Sequence, residues 1–304
     1  MSWLVITIFS YFLLAFNALG DRYLLLGRPK PKAYTVFINA PGAILLLLAP
    51  FVGLMMPNLK QAGLILVAGG SFAFACFFLY SALEKFEASR VVPSIGGLTP
   101  IFTLAATYVF FAGEVSLNLW QAVAFLLLVA GSILVSLEKG KNVPLTSFVF
   151  SLPAALLFSA SFVALKQLYL EMPFWTVLIF TRVAAALVCL VFLLDKLTRE
   201  QVLQPKTAFE LKTGLIFLAN QAIGGSAVLL QNFAVLFVPL GYLAFINALE
   251  GTRYVFLLIL SVFVSMKFPT VLKEEISPKA IFQKATAIII ILAGLLLLAV
   301  FTRQ

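Results

Sequence analysis

Residues 288–300 read Ile-Ile-Ile-Ile-Leu-Ala-Gly-Leu-Leu-Leu-Leu-Ala-Val, a run without one polar side chain. Residues 102–111, Phe-Thr-Leu-Ala-Ala-Thr-Tyr-Val-Phe-Phe, are nearly as apolar. Strands of a membrane barrel would need segments of about 10 residues with alternating polarity. A hydrocarbon core of about 30 Å needs roughly 20 mostly apolar residues per helical span. Continuous apolarity of this kind predicts helices that cross a bilayer.

Similar blocks fill the rest of the chain. The spans predicted are 3–26, 33–56, 61–83, 91–112, 117–137, 147–169, 174–194, 211–237, 240–266 and 280–301. Of the 304 residues, 62% are apolar and 11% charged, against about 45–50% and about 25% in soluble domains. The expected fold class is therefore an all-α integral membrane protein of about ten transmembrane helices, with no separate soluble domain. The block from Trp3 to Leu26 has no basic segment before it and no Ala-x-Ala-like site after it, so it reads as a retained helix rather than a signal peptide.

The net charge of +9 comes from basic residues scattered over loops, which argues for membrane topology and against a nucleic-acid partner. Cys76 and Cys189 lie inside apolar blocks without metal-ligand spacing and read as small packing residues. With no histidine in the chain, an imidazole proton relay is excluded.

The blocks carry an internal repeat. Gly69-Gly70-Ser71 recurs as Gly224-Gly225-Ser226, and Thr35-Val36 as Thr176-Val177. Arg22 corresponds to Lys166, Glu114 to Glu275, and Gln121 to Gln283. The order of these matches predicts a duplication, with repeats at 1–140 and 145–304. An odd number of spans per repeat inverts the second copy, an arrangement that places a solute site near the midplane between the halves. Loop lysines and arginines gather on one face, at Arg28, Lys30, Lys32, Lys85, Arg90, Lys139, Lys141 and their later counterparts. Only Lys60 and Arg303 fall on the other. The positive-inside rule makes the first face cytoplasmic and both termini extracytoplasmic.

An ionisable group inside a span costs about 2.5–3.5 kcal/mol on insertion scales and faces a cavity or a partner. Arg182 lies about 12 Å along the seventh span, too deep to snorkel, and reads as solute-facing or as half of an ion pair. Glu250 and Arg253, three residues apart, share a helix face. They read as an internal pair, or as a cavity wall in which Arg253, with Arg182, binds a carboxylate or phosphate of the solute and Glu250 modulates charge or carries a coupled proton. Asn220, Gln221, Gln231 and Asn232 supply amides for helix packing or solute contact. Gln231 and Asn232 diverge by about 100° on a helix, so at most one faces a cavity squarely. Lys166 reads as a snorkelling or solute-assisting cation, and Asp21–Arg22 as an interfacial pair or a gate. The first half offers milder groups, with Tyr80 as its candidate for solute contact. Gly96, Gly97 and Pro100 mark a hinge or a static kink in the fourth span. The fifth and tenth spans, with small steps at Ala130-Gly131 and Ala293-Gly294, are expected to stay outside the cavity.

Ala82-Leu83, Leu98-Thr99-Pro100-Ile101-Phe102, Gly113-Glu114 and Gln121 follow one another across the third to fifth spans. Lys273-Glu274-Glu275, Gln283 and Gly294-Leu295 follow similarly in the second half. In this order the residues resemble the EamA-type branch of the drug/metabolite transporter superfamily, over nearly the whole chain. The resemblance implies a central cavity, alternating access for small metabolites, and Arg182 as equivalent to a basic residue often present in the second helix of a repeat. The chain departs from that pattern at Pro41, where the first repeat would carry the arginine, and at Thr252, near the Pro100 position.

The expected function is secondary transport, in the export direction, of a small anionic or zwitterionic metabolite that is amino-acid-like or phosphorylated. Basic groups outnumber acids deep in the second half, which favours a negative group on the solute. Expected partners are that solute, membrane lipids and a coupled proton. No catalytic residue, metal or cofactor is expected, and no Walker-type sequence is present. A lipid scramblase or passive channel is the alternative, and an integral membrane enzyme acting on a lipid a further one. The oligomeric state stays open.

Overall fold

Proline and asparagine set where the first helices begin and bend. In the computed structural model, which describes residues 2–25, 30–86, 88–111, 117–136, 145–204, 211–267 and 278–301, α1 spans Ser2–Leu25 and α2 spans Pro31–Asn39. Pro31 opens α2 at a position where a missing N–H costs nothing. Pro41 lies in the second span, and there the chain tightens into a 3₁₀ segment, Ala40–Leu48, before the short α3, Ala49–Val52. Gly53 ends α3 with φ of +64°, a left-handed value that suits glycine. Asn58 and Gln61 then form a reciprocal capping box that starts α4, Leu59–Lys85.

The chain continues through α5 (Ala88–Phe110), α6 (Leu119–Ser136), α7 (Leu145–Glu171) and α8 (Phe174–Cys189). A 3₁₀ turn at Leu190–Leu194 leads to α9 (Lys196–Leu203). This helix lies between the seventh and eighth predicted spans; Asp195 caps it by accepting from the Thr198 backbone N–H at 3.1 Å and the Thr198 hydroxyl at 2.7 Å. Those bonds hold the exposed Asp195 carboxyl below its ordinary range. Next come α10 (Leu211–Phe237), α11 (Leu243–Ala248), α12 (Glu250–Lys267) and α13 (Pro278–Phe301). No strand occurs among the described residues, and the protein is all-α.

The segments Pro31–Val52, Leu59–Lys85, Val149–Glu171, Phe174–Leu194 and Gly214–Phe237 are long and apolar enough to cross a membrane. Shorter apolar helices cover Ser2–Ala18, Ser94–Phe110, Leu119–Leu134 and Ala285–Phe301. Large apolar side chains such as Phe51, 85% exposed, and Leu47, 72% exposed, point outward, as a lipid-facing surface requires.

Packing rests on paired neighbours: α1 lies along α10, α4 along α7, and α6 along α13. Small residues set the closest approaches. A side-chain carbon at Gly69 would collide with the Thr181 carbonyl oxygen and come within 2.8 Å of the Ala185 nitrogen, so α4 and α8 meet almost backbone to backbone. Gly131 faces Ile291 and Gly294 faces Ala124, which interlocks α6 with α13. Ion pairs tie both ends of α4: Lys60 to Glu171 at 3.0 Å, and Lys30 to Glu84 at 3.0 Å.

The helix assignment is continuous through residues 94–100, where Thr99, Thr103 and Thr107 each return a hydroxyl to the carbonyl four residues back. One detail differs from expectation: the ninth predicted span is interrupted at Leu249, between α11 and α12. The Ile246 carbonyl there accepts from Tyr11, the Ala248 carbonyl from Ser132, and the Leu249 carbonyl from the Thr252 hydroxyl. The carbonyls around the break are thus answered by side chains from α1, α6 and α12 itself.

Gly69→Ala is expected to lower the unfolding temperature in detergent, because the added carbon meets backbone and overpacking costs about 1–3 kcal/mol. Gly63→Ala, which meets nothing within 4 Å, should leave that temperature unchanged or raise it.

Candidate functional site

Arg182 sits on α8 in the stretch that Gly69 brings against α4. Its guanidinium carbon lies 4.5 Å from the centre of the Phe72 ring, a cation–π contact. Gly69 and Phe72 are three residues apart on one helix face, so the close approach of α4 is what presents the ring. Gly42, on the 3₁₀ segment, leaves room for the arginine stem: a side-chain carbon there would lie 3.2 Å from the Arg182 Cβ. The Arg182 Nε is buried and has no hydrogen-bond partner among the described residues. Arg182 also makes no ion pair among them, whereas the Glu84, Glu171, Asp195 and Glu250 carboxylates are all paired with other cations.

The arginine lines a small cleft with Ala68, Gly69 and Phe72 of α4, Ser161 and Leu165 of α7, and Thr181 and Ala185 of α8. It has room for about one water molecule. The Ser161 hydroxyl donates to the Ala68 carbonyl at 2.8 Å, and the Thr181 hydroxyl to the Val177 carbonyl at 2.7 Å. Both oxygens therefore present only lone pairs to the cleft.

Glu250 and Arg253 form a second polar group at the start of α12. They pair at 3.5 Å, and both remain partly exposed. The Tyr254 hydroxyl donates to Glu250. Gly96 of α5 packs against this cluster, since a side-chain carbon there would lie 3.0 Å from the Tyr254 hydroxyl and 3.3 Å from the Glu250 Oε2. Gly97 faces Ile133 of α6, and Pro100 is buried. No ion pair joins Arg182 to Glu250 among the described residues; the two groups belong to different helix contacts.

Lys166 is 3% exposed and does not snorkel. Its ammonium donates to the carbonyls of Val235, at 3.1 Å, Leu236, at 3.2 Å, and Val238, which spends all three donors on the carboxyl end of α10. One turn on, the Tyr169 hydroxyl donates to Asn232 Oδ1 at 2.7 Å, and Phe174 stacks on Phe233 with centroids 4.0 Å apart. These contacts fasten α7 and α8 to the same end of α10.

Asn220 is buried against α1: the Asn17 amide donates to the Asn220 backbone carbonyl at 3.1 Å, Gly20 faces Asn220, and Gly224 faces Asn17. Gln221 and Gln231 are partly exposed, while Asn232 is turned inward. Tyr80 meets Tyr34 edge to face at 4.9 Å. The side chains of Asp21 and Arg22, and residues Gly113, Glu114, Glu274 and Glu275, lie outside the described residues. Among the described residues no cluster of three His, Cys, Asp or Glu side chains could hold a metal.

Phe72, Ser161, Thr181 and Tyr254 are parts of these groups that the sequence did not single out. The hydroxyls Ser161 and Thr181, deep in apolar blocks, were the available signal; nothing singles out Phe72 among 31 phenylalanines.

No protein-family model matches the chain, and no curated protein matches it. A solved crystal structure of a protein is similar over 98% of each of the two chains, with a TM-score of 0.70 and 18% sequence identity. That likeness shows a shared fold alone.

Lys166→Met should lower stability by about 1.5–3 kcal/mol, the worth of hydrogen bonds to a charged group, and speed amide exchange near residues 233–238. A purely solute-binding lysine would leave both unchanged.

Proposed function

We propose that the chain is a secondary transporter of a small anionic or zwitterionic metabolite. The observation that carries the reading is Arg182, a guanidinium without a carboxylate partner among the described residues, lining a cleft walled by α4 on one side and α7 and α8 on the other. In this reading residues 1–140 and 145–304 are two inverted repeats of five membrane spans, and the cleft lies between them. The paired packing supports the duplication. The first span of each half lies along the third span of the other, α1 along α10 and α7 along α4, while the two last spans, α6 and α13, lie together.

The same reading takes the chain to be an EamA-type member of the drug/metabolite transporter superfamily, in the cytoplasmic membrane, with both termini extracytoplasmic and export as its direction. Arg182 binds the negative group of the solute, and Gln221 and Gln231, both partly exposed on α10, contact its polar parts. Glu250 carries the coupled proton: Arg253 pairs with it at 3.5 Å, and the adjacent Gly96 lets α5 respond to its state. Lys166 is assigned to holding α10 rather than to the solute.

Reconstituted protein should exchange a carboxylate or phosphate solute by saturable counterflow, which a channel or scramblase does not give. Arg182→Ala should reduce that exchange about tenfold or more, the equivalent of about 1.4 kcal/mol or more of lost binding. Glu250→Gln should abolish accumulation driven by a proton gradient while sparing counterflow. Unchanged transport of every carboxylate and phosphate solute by both Arg182→Ala and Arg253→Ala would remove the roles given to the arginines.

A further inference from the structure

We propose that the cleft at Arg182 is a site for a single small monovalent inorganic anion, of the size of chloride. A guanidinium held among apolar helices without a counter-charge is costly, and here no carboxylate compensates it among the described residues. The Nε is buried and unbonded, and no carboxylate pairs with the side chain, among the described residues. The Phe72 ring covers one face of the guanidinium, and the Arg182 side chain is part of the cleft lining.

Size and donor chemistry narrow the occupant. The space holds about one water molecule. Phosphate or sulfate is too large, and its several oxygens would need donors that the walls lack, because Ser161 and Thr181 have given their protons to backbone carbonyls. A neutral water would satisfy one or two N–H groups and leave the charge unanswered. A halide accepts from guanidinium N–H groups, needs no directional donors elsewhere, and neutralises the charge. This goes beyond the transport reading: it concerns the narrow cleft described here, which a carboxylate or phosphate solute would have to widen before binding. The bound halide then holds the place that a solute takes.

Full-length protein in detergent tests the site directly. Unfolding temperature is followed while sodium chloride or bromide replaces sodium gluconate at constant ionic strength. A saturable rise of about 2–4 °C is expected for a ligand contributing about 1 kcal/mol, absent in Arg182→Gln. A rise of equal size in Arg182→Gln, or none in the parent protein, would overturn the proposal. If that variant fails to fold, crystals of the parent protein grown in bromide decide by anomalous scattering: a peak at the guanidinium edge is expected, and its absence at saturating bromide would sink the site. Normal counterflow without a bromide peak refutes the anion site alone; a bromide peak without counterflow refutes the transport reading alone.

Discussion

A charged guanidinium among apolar helices is the constraint around which the other features arrange themselves. Desolvation makes it expensive, and the protein meets the expense by shape. Gly69 removes a side chain where α4 meets the Thr181 carbonyl, which brings Phe72 under the cation. Gly42 removes another on the 3₁₀ segment, which leaves room for the stem of Arg182. Neither glycine touches the charge itself. Both set the distance between backbones, and the electrostatics of the cleft follow from that distance.

The remaining ionic groups obey the same economy in different ways. Lys166 finds its counter-charge in the negative end of a helix rather than in a carboxylate, three carbonyls at the close of α10. Glu250 and Arg253 neutralise each other within one turn, with Tyr254 beside them. Arg182 alone among these three has no such partner in the described residues. Function is therefore assigned to it before the others.

Much of this was legible in the sequence, and the boundary of legibility has physical reasons. Block lengths identify apolar helices because a bilayer imposes a minimum span, and the i, i+3 spacing of Glu250 and Arg253 announces their pair. Depth in the block marks Arg182 as costly. The role of Lys166 was hidden, because its acceptors lie about 70 residues further on and become acceptors only where α10 happens to end. The break at Leu249 was hidden as well. No proline marks it; the freed carbonyls are held by Tyr11 and Ser132 from distant helices. Proline at 100, which invites a kink, sits in a helix that continues. The cap on α9 was readable in principle, since Asp195 stands three residues before Thr198, but the eight-residue helix falls below the length at which apolar periodicity speaks.

The 3₁₀ stretch at Ala40–Leu48 has a mechanical corollary. At about 2.0 Å per residue it reaches roughly 18 Å, whereas the same nine residues wound as α-helix would reach roughly 13.5 Å. Rewinding it would draw its far end back by about 4–5 Å while keeping every amide bonded within the segment except those proline forbids. Gly42 lies on that stretch and against Arg182. The second segment is thus longer than an α-helix of the same nine residues, and it carries its glycine against the stem of Arg182.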